Sequence, residues 1–134
     1  FTPYVGGSQI LLNIRAAEEL AFAGHNVTMY MMHMYNIDQT PLPVDSRIRV
    51  LHVNGSSGLD GKLLTDDQAY NAFNDVPVWD PQFKAAVMRW GELHKSCERF
   101  ITNKTFLADV EQSKFDVAIT HILNACPIGI IHQT

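Results

Sequence analysis

Long hydrophobic runs and clustered basic residues are both missing from this sequence of 134 residues. No stretch of about 18 apolar residues occurs, so we expect no membrane-spanning segment within it. The ten Lys and Arg are scattered among fourteen Asp and Glu, and the formal net charge is −4. Nucleic-acid binding is therefore not expected, because phosphate contacts need clustered positive charge. The hydrophobic content of 46% is typical of one globular domain with a real core.

The signature motifs of nucleotide and metal sites are missing as well. Residues 6–11, which read GGSQIL, lack the GxGxxG spacing that lets backbone approach a pyrophosphate. There is no P-loop, no HExxH and no GxSxG. No pair of histidines or carboxylates has a ligand spacing that folding would bring together. We expect neither a bound cofactor nor a metal ion.

Two cysteines, Cys97 and Cys126, are too few for a disulfide framework. We favour two buried thiols over a bridge between them, because a free cysteine packs as a small hydrophobic residue. Three Asn-x-Ser/Thr sequons begin at Asn26, Asn54 and Asn103. Each is a possible glycan acceptor if the chain enters the secretory pathway.

Both ends of the sequence have the pattern of unfinished elements. Phe1–Val5 is typical of the tail of a strand, and Ile128–Thr134 stops within an apolar stretch. Domains rarely begin and end in this way. The expectation is one domain over residues 1–134 that is incomplete at both ends.

The first half of the chain has the pattern of a βαβ unit followed by a third strand. Apolar residues at helical spacing predict a helix over residues 9–23, with Ile10, Ile14, Ala17 and Ala21 on its buried face. Residues 26–32 and 48–53 are predicted strands. A strand, helix and strand of this length pack as parallel strands with a right-handed crossover.

The second half is predicted to continue the same architecture. Residues 54–80 lack a sustained period and are predicted to be a long surface excursion. Asp80 and Pro81 have the residue types of an N-cap and a first helical position. They should open the longest helix, whose predicted apolar stripe is Phe83, Val87, Trp90, Cys97 and Ile101. A short helix over 106–111, a fourth strand over 115–120 and a final helix from about residue 124 complete the pattern.

This order of elements predicts an α/β fold, a Rossmann-like doubly wound parallel sheet with strand order 3-2-1-4. Ligands of such sheets bind where the winding reverses, at the carboxyl ends of the strands. Here that crevice would lie between the first and fourth strands. Residues 6–9 and 120–124 would border it.

Four segments resemble the N-terminal domain of animal UDP-glucuronosyltransferases: residues 7–9 with the following helix, 23–28 (AGHNVT), 115–120 (FDVAIT) and 125–130 (ACPIGI). The resemblance implies part of a GT-B glycosyltransferase whose N-terminal domain holds a small lipophilic acceptor. A C-terminal domain, absent from these residues, would bind the UDP-sugar, with glucuronate or glucose as the donor sugar. The resemblance also implies an endoplasmic-reticulum membrane protein with its catalytic parts in the lumen, held by a C-terminal helix.

In that family a His at the start of the first helix is the general base, aided by an acidic residue after the fourth strand. This sequence has Gln9 and His121 at those two positions. An amide has no basic lone pair, whereas an imidazole is a base of useful strength near neutral pH. Three hypotheses stay open: His121 is a relocated base with Gln9 as its partner, the chain transfers slowly or not at all, or its acceptors are acids that are already ionised.

Four further residues are predicted to contact the acceptor. Gly7 and Ser8 border the crevice, and Phe73 and Trp79 are aromatic residues of the excursion that would form a pocket wall or lid. The competing function is a non-catalytic relative that binds an acceptor or associates with a partner protein. A free-standing flavodoxin-like module is disfavoured by the unfinished ends, and the oligomeric state stays open.

Overall fold

The computed structural model describes residues 1–4, 7–36, 42–56, 58–121 and 125–133, without the side chains of residues 64, 68, 90 and 92–94. Three strands and five helices lie within these ranges. In chain order they are β1 (Thr2–Pro3), α1 (Gly7–Phe22), β2 (Thr28–His33), β3 (Arg49–Asn54), α2 (Gly61–Phe73), α3 (Pro81–Thr102), α4 (Lys104–Ser113) and α5 (Cys126–Gln133).

The strands form one parallel sheet in the order β1-β2-β3. Thr2 lies opposite Met31, and β2 pairs with β3 from Thr28 opposite Arg49 to His33 opposite Asn54. The prediction of a parallel βαβ unit followed by a third strand is confirmed.

Helices cover both faces of this sheet. On one face the predicted α1 stripe is confirmed, because Ile10, Ile14, Ala17 and Ala21 are buried against Met29 and Met31 of β2. On the other face α3, α4 and α5 pack against the alternate residues of β2, and the contributing side chains are Tyr30, Met32, Phe100, Phe106 and Ile130. A central strand with both sides buried and helices on both faces is the doubly wound arrangement that the sequence predicts.

One helix was not predicted. Residues 61–73, within the predicted surface excursion, form α2, which packs against α3. Asp60 is its N-cap and accepts a hydrogen bond from the backbone N–H of Lys62. Periodicity missed α2 because its apolar residues are not aligned on one face, and Leu63, Tyr70 and Phe73 are all exposed.

The start of α3 is confirmed, but its predicted apolar stripe is wrong in part. Asp80 caps the helix by accepting from the N–H of Gln82, and Pro81 is the first helical residue. Among the described side chains of α3, Ala86, Ser96 and Phe100 are buried completely or nearly so, while Val87 and Ile101 are exposed. The side chain of Trp90 lies outside the described residues. Part of the buried face is polar, and there the Ser96 hydroxyl donates to the carbonyl of Met34.

The predicted fourth strand does not form. Residues 114–121 are neither helix nor strand, and Val117 and Ile119 are exposed. The chain nevertheless lies beside the start of β1, where the amino group of Phe1 donates to the carbonyl of Ile119 over 2.7 Å. Because β1 has only two residues, it is too short a partner for a regular ladder.

Cys97 and Cys126 are joined by a disulfide, so the preference for two free thiols was wrong. The bond links α3 to the first residue of α5, with the two Cα atoms 5.6 Å apart and a sequence separation of 29 between the cysteines. Both helices pack on the same face of the sheet. That tertiary contact brings the sulfurs together and is not encoded in the local spacing of the cysteines.

The residue after β3 is predicted to tolerate no side chain. A Cβ added to Gly55 would lie 2.5 Å from the ring of Phe100, which is completely buried. We expect Gly55→Ala to lower the free energy of unfolding by about 1–3 kcal/mol, as overpacked cores do. Urea unfolding measures this change. Gly129→Ala is the matched control, because a Cβ at Gly129 meets nothing within 4 Å, and an equal effect of both variants would contradict the packing described.

Candidate functional site

The candidate site lies at the carboxyl edge of the sheet, which we define as the edge where β1, β2 and β3 end. The opposite edge is called the amino edge. Helix α1 begins at Gly7, three residues after Tyr4, so its first turn lies at the carboxyl edge. In that turn Gly7 and Ser8 are exposed and Gln9 is half-buried. The structure therefore puts three of the predicted site residues together.

One residue of the segment that carries His121 contacts the start of β1. The carbonyl of Ile119 accepts a hydrogen bond from the amino group of Phe1, so Ile119 lies beside the start of β1. Cys126 is bonded to Cys97, the neighbour of Ser96, and Ser96 contacts Met34 just after the end of β2. These contacts fix residues 119 and 126, and residues 122–124 between them lie outside the described residues.

His121 follows Ile119 by two residues and is half-buried. The switch point of a doubly wound sheet requires a chain that runs beside the first strand on the side away from the second. The contact of Ile119 with Phe1 puts one residue of the segment after Lys114 beside the start of β1, and residues 114–121 form no strand. The catalytic roles of Gln9 and His121 remain predictions, and residues 122–124 of the predicted border lie outside the described residues.

A row of three rings at the carboxyl edge was missed by the sequence analysis. His33, at the end of β2, stacks on His52 of β3 with ring centroids 5.0 Å apart, and its Nε2 lies 2.7 Å from Nδ1 of His52. The ring of Tyr4 lies 4.6 Å from His33 on the other side. His33 is only 4% exposed, whereas His52 is exposed. The two histidines are brought together by the parallel register of β2 and β3, and the order of residues along the chain does not reveal that register.

The His33–His52 pair predicts a loss of stability in mild acid. Burial, and then the neighbouring His52, lower the pKa of His33. Because the folded-state pKa lies below the value of about 6.5 in the unfolded chain, the unfolded chain binds more protons as pH falls. Stability should therefore be complete above about pH 6.5 and decline below it, as the pH falls toward the folded-state pKa of His33.

Urea unfolding at pH 7.5 and 5.5 tests this dependence. His33→Gln should reduce the difference between the two pH values, while His25→Gln, at an exposed turn residue, should leave it unchanged. A wild-type difference that persists in full in His33→Gln would show that another group carries it.

The predicted acceptor-binding aromatics lie in solvent. Phe73, at the end of α2, is 87% exposed, and Trp79, just before α3, is 73% exposed. Neither contributes to the two core clusters, and their role as a pocket wall or lid remains a prediction. A shallow groove between α4, residues 114–118 and α5 is lined by Val110, Phe115 and Ile131 among others. It lies toward the amino edge and is not the predicted acceptor crevice.

Other ionic contacts hold elements together and do not form a site. Asp109 of α4 accepts from the hydroxyl of Tyr30 over 2.6 Å and from the guanidinium of Arg49 over 2.7 Å. Burial and the contact with Asp109 raise the pKa of Tyr30 to about 12. Asp67 of α2 pairs with Arg89 of α3. Within the part of the chain that the structure describes, no three His, Cys, Asp or Glu side chains form a group that could hold a metal ion.

Comparison with known proteins gives matches of low identity over nearly the whole chain. Three Caenorhabditis elegans proteins that carry the name UDP-glucuronosyltransferase are similar to it. The chain is 25% identical to ugt-48 and 24% identical to ugt-46, each over 98% of its length, and 27% identical to ugt-60 over 96%. It spans about a quarter of each relative, 25%, 25% and 26% respectively. No protein-family model matches the chain. No solved structure matches it either.

These matches agree with the architecture. The parallel sheet with helices on both faces is compatible with a Rossmann-like part of a glycosyltransferase. Together, the fold and the similarity to three nematode proteins support a relationship of this chain with the UDP-glucuronosyltransferase family.

Proposed function

We propose that the chain is the acceptor-binding side of a UDP-glycosyltransferase. The full-length protein would transfer glucuronate or glucose from a UDP-sugar to a small lipophilic alcohol, phenol or acid. The observation that carries the proposal is the parallel sheet with helices on both faces, in which the first turn of α1 follows β1 at the carboxyl edge. The similarity to nematode UDP-glucuronosyltransferases supports the reaction type.

In the proposed mechanism, the imidazole of His121 takes the proton of the acceptor hydroxyl. The acceptor oxygen then forms a bond to the anomeric carbon of the sugar while the bond from that carbon to the UDP oxygen breaks, so the configuration inverts and UDP leaves. The amide of Gln9 is a hydrogen-bond donor and acceptor that would orient the acceptor oxygen. Gly7 and Ser8 are both exposed and would leave room for the acceptor beside the first turn of α1.

Phe73 and Trp79 would supply the apolar contacts for a flat lipophilic acceptor. Both side chains are large and exposed, and α2 contacts α3. A movement of α2 toward the carboxyl edge would cover a bound acceptor and exclude water from it. The UDP-sugar would be held mainly by a part of the full-length protein beyond these residues, and no cofactor is required.

The proposed location is the lumenal side of the endoplasmic-reticulum membrane. The Cys97–Cys126 disulfide supports it, because such bonds form and persist in oxidising compartments. Among the helices that the structure describes, none is both long and apolar enough to cross a bilayer. The proposed membrane attachment, by a C-terminal helix of the full-length protein, is what the resemblance to the family implies.

Acceptor-dependent release of UDP by the full-length protein tests the proposal. UDP-glucuronate and UDP-glucose are each offered with a panel of phenols, alcohols and carboxylic acids. We expect UDP release only when both a UDP-sugar and an acceptor are present, together with a glycosylated product of matching mass. Acceptor binding without any product from either sugar would instead support a non-catalytic relative.

A further inference from the structure

We propose that Asn26 carries an N-linked glycan. The inference rests on the proposed lumenal location and names one modification site. Asn26-Val27-Thr28 is one of three sequons in the chain, and the structure distinguishes it from the other two.

Asn26 is exposed in the turn between α1 and β2. Its side chain makes no hydrogen bond to any residue that the structure describes. Thr28, the third residue of the sequon, is the first residue of β2 and lies at the amino edge of the sheet, opposite Arg49. A glycan on Asn26 would therefore project away from the carboxyl edge, where Gln9 lies.

Asn54 is exposed at the end of β3, and hydrogen bonds within and next to its sequon hold the segment in place. The amide oxygen of Asn54 accepts from the N–H of Ser56 over 2.9 Å, and the Ser56 hydroxyl donates to Asn36 over 2.8 Å. Between them, Gly55 lies directly against the ring of Phe100. Asn54 also lies at the carboxyl edge, so a glycan there would stand where acceptor and donor must meet.

The sequon at Asn103 is part of a helix junction. Asn103 ends α3 and begins α4, and its amide oxygen accepts from the N–H of Phe106 over 3.1 Å. Its side chain is half-buried at this junction. An oligosaccharide has less room there than on the exposed turn of Asn26.

The modification is a group transfer from a lipid-pyrophosphate-linked oligosaccharide. The amide nitrogen Nδ2 of Asn26 bonds to C1 of the first sugar, the bond from C1 to the pyrophosphate oxygen breaks, and Nδ2 loses one proton. The lipid pyrophosphate is the leaving group. The hydroxyl of Thr28 completes the recognition signal.

The test is the mass of the full-length protein expressed in a eukaryotic secretory pathway, before and after peptide-N-glycosidase. Asn26→Gln and Thr28→Val should each lose the mass of one glycan. Thr28→Val keeps the β-branched shape that suits the strand, and Thr28→Ser keeps both the sequon and the glycan. Asn54→Gln and Asn103→Gln should retain the glycan of Asn26.

An Asn26→Gln protein with the full wild-type glycan mass would overturn the proposal, as would a wild-type protein whose mass the glycosidase does not change. If the Asn26→Gln protein keeps the full glycan mass and the Asn54→Gln or Asn103→Gln protein loses a glycan, another sequon carries the glycan. The proposed lumenal location is then still supported. Acceptor-dependent UDP release is measured separately. Sugar transfer by a protein without a glycan would therefore reject the modification site alone.

Discussion

Replacing His121 by alanine in the full-length protein is expected to lower kcat/KM for sugar transfer to a phenol by roughly 10²–10⁴-fold, the usual contribution of a general base. The alanine cannot accept the proton of the acceptor hydroxyl, while the UDP-sugar site, proposed to lie beyond these residues, is unaffected. The KM for the UDP-sugar should therefore stay the same. Initial rates of UDP release at varied acceptor and donor concentrations measure both quantities.

Two further variants separate a base from a merely structural residue. Gln9→His in the His121→Ala background should restore much of the lost rate, because it returns an imidazole to the position where the related family has its base. His132→Ala, which removes an exposed imidazole in the last turn of α5, is the matched control and should be neutral. Unchanged turnover in His121→Ala with a phenol would reject the relocated base.

The choice of acceptor decides among the remaining hypotheses. A carboxylic acid is already ionised at neutral pH, so its transfer needs no general base. If His121 is the base, His121→Ala should lower the transfer to phenols and alcohols and leave the transfer to acids nearly intact. Wild-type transfer to acids alone would favour the third hypothesis, in which positioning and UDP departure suffice.

Removing the Cys97–Cys126 disulfide is expected to lower the free energy of unfolding by about 3–4 kcal/mol, because the bond closes a long loop in the unfolded chain. The cysteines have a sequence separation of 29, and the loop that the bond closes contains the end of α3 and all of α4. Urea unfolding of the wild-type protein and of the Cys97→Ala/Cys126→Ala double variant measures the loss.

Reductant provides the control for this prediction. It should destabilise the wild-type protein to about the level of the double variant and should have no further effect on the double variant. Equal stability of the wild-type protein with and without reductant would mean that the two sulfurs are not joined in solution.

Local patterns were sufficient for the elements that carry their own signals. The stripe of α1 repeats at helical spacing, and Asp80 and Pro81 have the residue types that open a helix, so both helices were predicted. The capping residue of α2, Asp60, lies in a segment without such a stripe, and that helix was missed. For residues 115–120 a strand was predicted that does not form. The apolar pattern favours a strand, but it does not show whether a neighbouring strand is long enough to pair with it.

The site was predictable only where chain order determines position. The doubly wound topology predicts that the first turn of α1 and the segment of His121 border one crevice. The structure has the first turn of α1 directly after β1, and the place of His121 opposite that turn stays a prediction. The contact of His33 with His52 depends on the register of β2 and β3, and the disulfide depends on the packing of α3 and α5. Neither can be inferred from spacing along the chain.

The central claim is that Gln9 and His121 flank one crevice, and cross-linking tests it most directly. The full-length Gln9→Cys/His121→Cys protein is treated with a short reagent that links two thiols. Cys97 and Cys126 do not react with it because they are joined in a disulfide. We expect an intramolecular link in this protein and none in Ser46→Cys/His121→Cys, because Ser46 precedes β3 at the amino edge. Equal yields from the two pairs, or no link between positions 9 and 121, would contradict the account.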